Sequence, residues 1–147
     1  MKLNNVSLFP EQTYSEQDFC DVVELMAKSS IHKSFTVSDL ERLVIPPLQL
    51  DQYKLFKAQN KPVGFVSWAW LTNTTAFGYI TRQRRLKAAD WNSGEQFWVI
   101  DVIADGYSPL MIIRYLRNKF EPFVDRAYWH RMKNPNKVGI KFAHVSF

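Results

Sequence analysis

The chain is predicted to fold as an α+β domain with a mostly antiparallel sheet flanked by helices. Three observations lead there. Apolar residues recur at helical spacing early in the chain, whereas Tyr53 to Leu71 and Gln96 to Ala104 are rich in aromatic and β-branched residues. The order of elements, helices, a hairpin, a helical segment, a central strand, a helix and two more strands, is that of an α+β chain with a mostly antiparallel sheet. No repeat, low-complexity tract or Gly/Ser linker interrupts residues 1–147, so a single domain is expected.

The elements follow in order. Ser15 to Ser30 is expected to be helical, with Ser15 and Asp18 as a capping box and Phe19, Val22, Val23 and Met26 as the apolar stripe. A short helix is expected from Ser38, with Glu41 three residues on, ending near Pro46-Pro47. Tyr53 to Ala58 and Val63 to Leu71 form a hairpin across Gln59-Asn60-Lys61-Pro62. Thr74 to Ala89 is mixed and basic, helical in part, and Asp90 to Gly94 is a loop. Gln96 to Ala104, nearly continuous in strand formers, is expected to be a strand covered on both faces. Pro109 suits the first turn of a helix that ends near Phe120, with Ile112, Ile113, Leu116 and Phe120 facing inward. Two last strands are expected at Arg126 to Arg131 and Val138 to Val145, joined by a turn at Lys133 to Asn136. This order fits an N-acetyltransferase-like fold, in which a central strand leads through a loop into a helix whose N-terminus faces an acyl-thioester donor.

Composition narrows the function. The chain is 46% hydrophobic and 15% aromatic, enough for a packed core. Its single cysteine, Cys20, excludes a disulfide within the chain and suits a reducing compartment. Residues Met1 to Asn5 lack the apolar core of a signal peptide. The best apolar run, Phe97 to Ala104, is too short to span a bilayer and is interrupted by Asp101. A cytoplasmic protein without stable membrane insertion is expected. The net charge of +5 suggests an acidic partner, and composition does not choose among nucleic acid, anionic membrane and protein.

Few residues announce chemistry. The three histidines, His32, His130 and His144, make no metal-binding pattern, and no metal site is expected. There is no GxSxG, P-loop or GxGxxG motif. Cys20, beside Phe19 in an amphipathic helix, reads as a core thiol. His32 follows the first helix among Ser29, Ser30, Lys33 and Ser34. It is either a helix-end residue or a base able to work near neutral pH. Asp101 stands inside the apolar run Phe97-Trp98-Val99-Ile100-Asp101-Val102-Ile103-Ala104. A carboxylate there needs a partner, so it is a structural ion-pair member, an edge residue facing water, or an active-site carboxylate. Arg82, Arg84, Arg85 and Lys87 form one basic cluster, and Arg114, Arg117 and Lys119 another. Both read as solvated faces unless something acidic docks there, and no nucleic-acid-binding motif accompanies them.

Several stretches, in order, resemble the toxin-activating lysine acyltransferases, the haemolysin-activating proteins. Ser29-Ser30-Ile31-His32 matches a serine three residues before an essential histidine. Val63-Gly64-Phe65-Val66-Ser67-Trp68-Ala69 is similar to the family's xYCSWAxL strand. Asp90-Trp91-Asn92-Ser93-Gly94-Glu95-Gln96-Phe97-Trp98-Val99-Ile100-Asp101-Val102-Ile103-Ala104 is similar to DWxSGDxxWxIDWIAP and is the most specific match. Tyr115 to Phe120 and Pro135 to Gly139 add weaker ones. Asp105, Val102 and Phe35 depart from the pattern.

The resemblance implies a protein-lysine acyltransferase with no bound cofactor. It would move a fatty acyl group from acyl carrier protein, the donor substrate, to lysines of an RTX protoxin, and it would form a homodimer. His32 and Asp101 carry over as the catalytic pair and Ser29 as a third member. On that mechanism Arg82, Arg84 and Arg85 are the expected docking surface for the acidic carrier. Gly106 and the helix N-terminus after it would hold the thioester oxygen or the pantetheine. Direct attack by the lysine and an acyl-histidine intermediate both remain open. The alternatives are an acyltransferase using acyl-coenzyme A, for which Asp105 to Pro109 is a poor phosphate loop, and a non-catalytic basic nucleic-acid-binding or adaptor module.

Overall fold

Helix α1, Glu16–Lys28, begins where Ser15 Oγ accepts the Asp18 amide, as its sequence predicts. The reciprocal arm of the expected box is absent, because the Asp18 carboxylate instead accepts from the Tyr53 hydroxyl at 2.5 Å. The structure, a computed structural model, describes residues 14–132 and 140–146. Val22, Leu25 and Met26 are the buried face of α1. Cys20 is exposed, which corrects its expected place in the core: it lies off that stripe. Helix α2, Val37–Leu43, starts before Ser38 because Thr36 and Asp39 form a complete capping box. The prolines that were expected to end it open a separate helix, α3, Ile45–Leu50. Proline suits a first turn, where the missing N–H has no partner to lose.

Strands β1, Tyr53–Ala58, and β2, Lys61–Leu71, form the hairpin. Its turn is only Gln59-Asn60, with φ of 51° and 62°, and Ala58 pairs directly with Lys61. Helix α4 is Asn73–Ile80, capped by Thr72, and a 3-10 turn covers Ala88–Asp90. Strand β3 is Gln96–Ala104 and helix α5 is Pro109–Phe120. Strands β4, Arg126–Met132, and β5, Ile140–Ser146, complete the sheet. The turn expected at Lys133 to Asn136 lies outside the described residues.

The sheet order is β1-β2-β3-β4-β5, antiparallel throughout except for the β3–β4 pair. The fold is therefore α+β with a mostly antiparallel sheet. Side chains alternate along β2, so its two faces bury different partners. Val66 and Trp68 join Ile112, Leu116 and Phe120 of α5 on one face. Phe65 packs with Val22, Leu25 and Met26 of α1 on the other, where Ala69 and Leu71 meet Ala76 of α4. Ile113, expected in the α5 stripe, is instead 46% exposed. Burial of β3 on both faces holds for Phe97, Trp98 and Val99 but not beyond: Val102 is 40% exposed.

Candidate functional site

A break in the pleat of β3 positions the site. Ser67 lies opposite Asp101 and Trp68 opposite Val99, so β3 has one residue more than β2 at that point, Ile100. The consequence appears in the core. Phe97 and Val99 pack toward α5, whereas Ile103, also odd-numbered, packs toward α1. Strict alternation would have sent Asp101 into the α5 core with Val99. The bulge turns it to the face of α1, where His32 waits.

His32 reaches that face because α1 stops at Ser29. The Ser29 amide donates to Met26 O, its carbonyl accepts from Lys33 N, and the chain turns into a 3-10 segment, His32–Ser34. His32 is 6% exposed, with its ring centroid 5.0 Å from that of Phe35. Its Nε2 lies 2.6 Å from Asp101 Oδ1, and its Nδ1 lies 2.6 Å from Ser29 Oγ. The partners decide the tautomer. An ionised carboxylate only accepts, so Nε2–H donates to Asp101. Nδ1 then carries the lone pair and accepts from the Ser29 hydroxyl. The three residues thus form a line, serine to imidazole to carboxylate, in which the basic nitrogen faces a hydroxyl and the carboxylate fixes the orientation of the ring.

His32 and Asp101 open on a cavity of about 800 Å³. Arg82, Arg84 and Arg85 line it, and so does Arg42. Arg84 pairs with buried Asp90, and Arg42 pairs with Asp39 at 2.6 Å while its Nε is buried without a hydrogen-bond partner among the described residues. Arg82 and Arg85 have no ion pair among the described residues. Gly106, with φ of 66°, does not line the cavity; Pro109, at the start of α5, does. The structure therefore brings together Ser29, His32 and Asp101, sets the arginine cluster around the same cavity, and leaves Gly106 apart.

Two residues of this region are not among the site candidates that the sequence singles out, although Ser67 lies in the stretch similar to xYCSWAxL. Tyr79 of α4 lines the cavity, and burial, reinforced by the charge of Asp101, pushes its phenol well above the ordinary tyrosine range. It stays a neutral O–H beside the carboxylate. Ser67, opposite Asp101 in the ladder, is fully buried, and its hydroxyl has no hydrogen-bond partner among the described residues. Only pairing across the sheet places it there. Among the described residues no cluster of His, Cys, Asp and Glu could hold a metal, and no helix is long and apolar enough to cross a membrane.

Residues 11–144 match the family model described as the RTX toxin acyltransferase family. The chain is 41% identical over 121 residues to an RTX-III toxin-activating lysine-acyltransferase of Actinobacillus pleuropneumoniae, covering 82% of this chain and 68% of the relative. It is 31% identical over 112 residues to a protein-lysine myristoyltransferase of Kingella kingae, covering 76% and 67%. It is 35% identical over 103 residues to a protein-lysine myristoyltransferase of Escherichia coli, covering 70% and 61%. The chain thus spans about two thirds of the length of these curated relatives. With the family match running through nearly all of its elements, Ser29, His32 and Asp101 included, the chain belongs to the RTX toxin acyltransferase family.

Proposed function

We propose that the protein transfers a fatty acyl group from acyl carrier protein to lysine side chains of an RTX protoxin. The observation that carries this reading is the Ser29–His32–Asp101 line, whose histidine and carboxylate stand on the wall of a large cavity with Ser29 behind the ring. Relatives named for lysine acylation and toxin activation support the reaction class.

A free lysine, with a pKa of about 10.4, is almost wholly ammonium at neutral pH and cannot attack a thioester. The ammonium must first lose its extra proton to solvent, and the nitrogen must shed a second one, to a base in the site, as the amide forms. The lone pair on His32 Nδ1 is the acceptor, and the Ser29 hydroxyl hydrogen-bonded to it relays the proton. As the amine nitrogen bonds to the carbonyl carbon, the C–S bond breaks and His32 returns the proton to the departing thiolate. Asp101 holds the ring by its Nε2–H and stabilises the imidazolium between these steps. Tyr79 adds a neutral O–H donor on the same wall.

The carrier as donor is supported by charge. Arg82, Arg84 and Arg85 ring the cavity that His32 and Asp101 face, so an acidic protein docking there would deliver its thioester to the base. An N-acetyltransferase-like relationship of the fold is supported by β3 running through a loop into α5 and by the parallel β3–β4 pair. The test is mass spectrometry of an RTX protoxin co-expressed with this protein or with His32→Ala. Acylated lysines are expected with the wild type and not with the folded variant. Equal acylation with both would overturn the role of His32, and none with either would overturn the activity.

A further inference from the structure

The cavity passes through the sheet. β3 and β4 pair only from Phe97–Ala127 to Val99–Trp129, although β3 continues to Ala104 and β4 to Met132. Strands that stop pairing while both continue leave a gap between them. The lining confirms the passage, since Leu43 and Tyr79 belong to the α1 and α4 side whereas Ile112 and Leu116 belong to the α5 side.

The two halves differ in chemistry. On the α1 side His32, Asp101 and four arginines, Arg42, Arg82, Arg84 and Arg85, stand among apolar Ile31, Phe35, Leu43, Leu86 and Ile100. On the α5 side the described lining is apolar apart from Arg117, with Val99, Ile112, Leu116 and Ala127 inside. At its rim Ile113 and Val102 are 46% and 40% exposed. Large aliphatic side chains left open around an apolar pocket suit an apolar ligand that covers them. A fatty acyl thioester is divided in the same way, into a long alkyl chain and a polar, charged carrier arm. With its carbonyl beside His32, the charged arm matches the half that carries four arginines, and the alkyl chain matches the half where Arg117 is the one charged side chain of the described lining.

We infer that the α5 half of this passage holds the acyl chain, and that Ala127 and Ile113 set the chain length the protein accepts. This rests on the acyltransferase reading above. Ala127 has the smallest side chain in the lining, 3% exposed where β4 meets β3. Each further methylene buried favours a longer chain until it meets a wall, so added bulk at Ala127 shortens the path. Ile113 borders the same path from the exposed surface of α5, where a substitution leaves the core intact.

The experiment offers wild type, Ala127→Leu and Ile113→Trp equal amounts of acyl carrier protein thioesters of graded chain length, with an RTX protoxin domain as acceptor. The products are resolved by mass spectrometry. The ratio of longest to shortest acyl product should fall about tenfold in each variant. An unchanged ratio in the folded Ile113→Trp protein overturns the inference, whether or not Ala127→Leu folds. If the wild type transfers no acyl group, the acyltransferase reading fails separately. Displacement of bound cis-parinaric acid by fatty acids of graded length then reads the cavity directly. A length dependence that Ile113→Trp shortens supports the assignment, and an unshifted one, or no binding, overturns it.

Discussion

Between Phe97 and Val99, β3 has β2 on one edge and β4 on the other, and its side chains are 0%, 1% and 8% exposed. Between Ile100 and Ala104 it keeps β2 alone, and Val102 is 40% exposed. The residue types hardly change along the strand; the neighbours do. The first half is core, where each apolar atom meets another. The second borders the opening in the sheet, and there a carboxylate can sit without displacing packing, provided a donor meets it. His32 is that donor.

The sharpest way to break this comparison is at the carboxylate. Asp101→Asn keeps the volume and removes the charge that stabilises imidazolium. Its kcat/KM should fall about a hundred- to ten-thousand-fold, while unfolding free energy changes by no more than ~1–2 kcal/mol. Near-normal turnover together with a large drop in Tm would make Asp101 a structural partner of His32 instead. Next comes the contrast in packing. Phe97→Ala should cost ~3–5 kcal/mol, since it empties a fully buried site against Trp68, Trp70 and Phe120. Val102→Ala, at the open end, should stay within ~0.5 kcal/mol. Urea unfolding of both variants measures the difference, and equal costs would mean that the two halves are packed alike.

A smaller effect is expected where the strand enters the sheet. The Gly94 and Ser93 amides donate to Trp70 O, and a Cβ on Gly94 would collide with the Leu71 and Thr72 backbone. Gly94→Ala should therefore cost ~1–3 kcal/mol, and an unchanged Tm would show that this loop can shift freely.

The smallest effect lies outside β3, in the cap that holds α2. The Thr36 backbone N–H donating to Asp39, aided by Arg42, holds that carboxyl below its ordinary value. A depressed folded-state pKa gives stability that is present above the unfolded value, about 3.9, and is lost as pH falls through the lower folded value. Asp39→Asn should cost ~1 kcal/mol at pH 7. The gap from wild type should close as the solution is acidified below that range, and a gap independent of pH would exclude the carboxylate charge as its source.

Much of the architecture was legible because it is written in local physics. The bounds of β1, β3 and α5 follow from residue preference, a proline at a first helical turn and the turn sequences around them. The boundaries that shifted did so through competition between neighbouring signals. Thr36 with Asp39 outcompeted Ser38 as a cap, and Pro46-Pro47 started a helix rather than only stopping one. Cys20 and Ile113 lie outside the buried faces of their helices, because a helical period alone does not say how wide the buried stripe is.

The site divides in the same manner. By itself the sequence determined that His32 follows a helix with Ser29 three residues before it, that a carboxylate interrupts an apolar strand, and that arginines cluster near residues 82–85. Those are properties of spacing and residue type. Only the tertiary structure decided that Asp101 faces His32, because one extra residue at Ile100 reverses the pleat and no local preference of Ile100 marks it. Only the tertiary structure placed Tyr79 and Ser67 beside that carboxylate and opened the sheet between β3 and β4. Pairing register and the end of a ladder arise from contacts between segments distant in the chain, so they leave no period for a sequence to display.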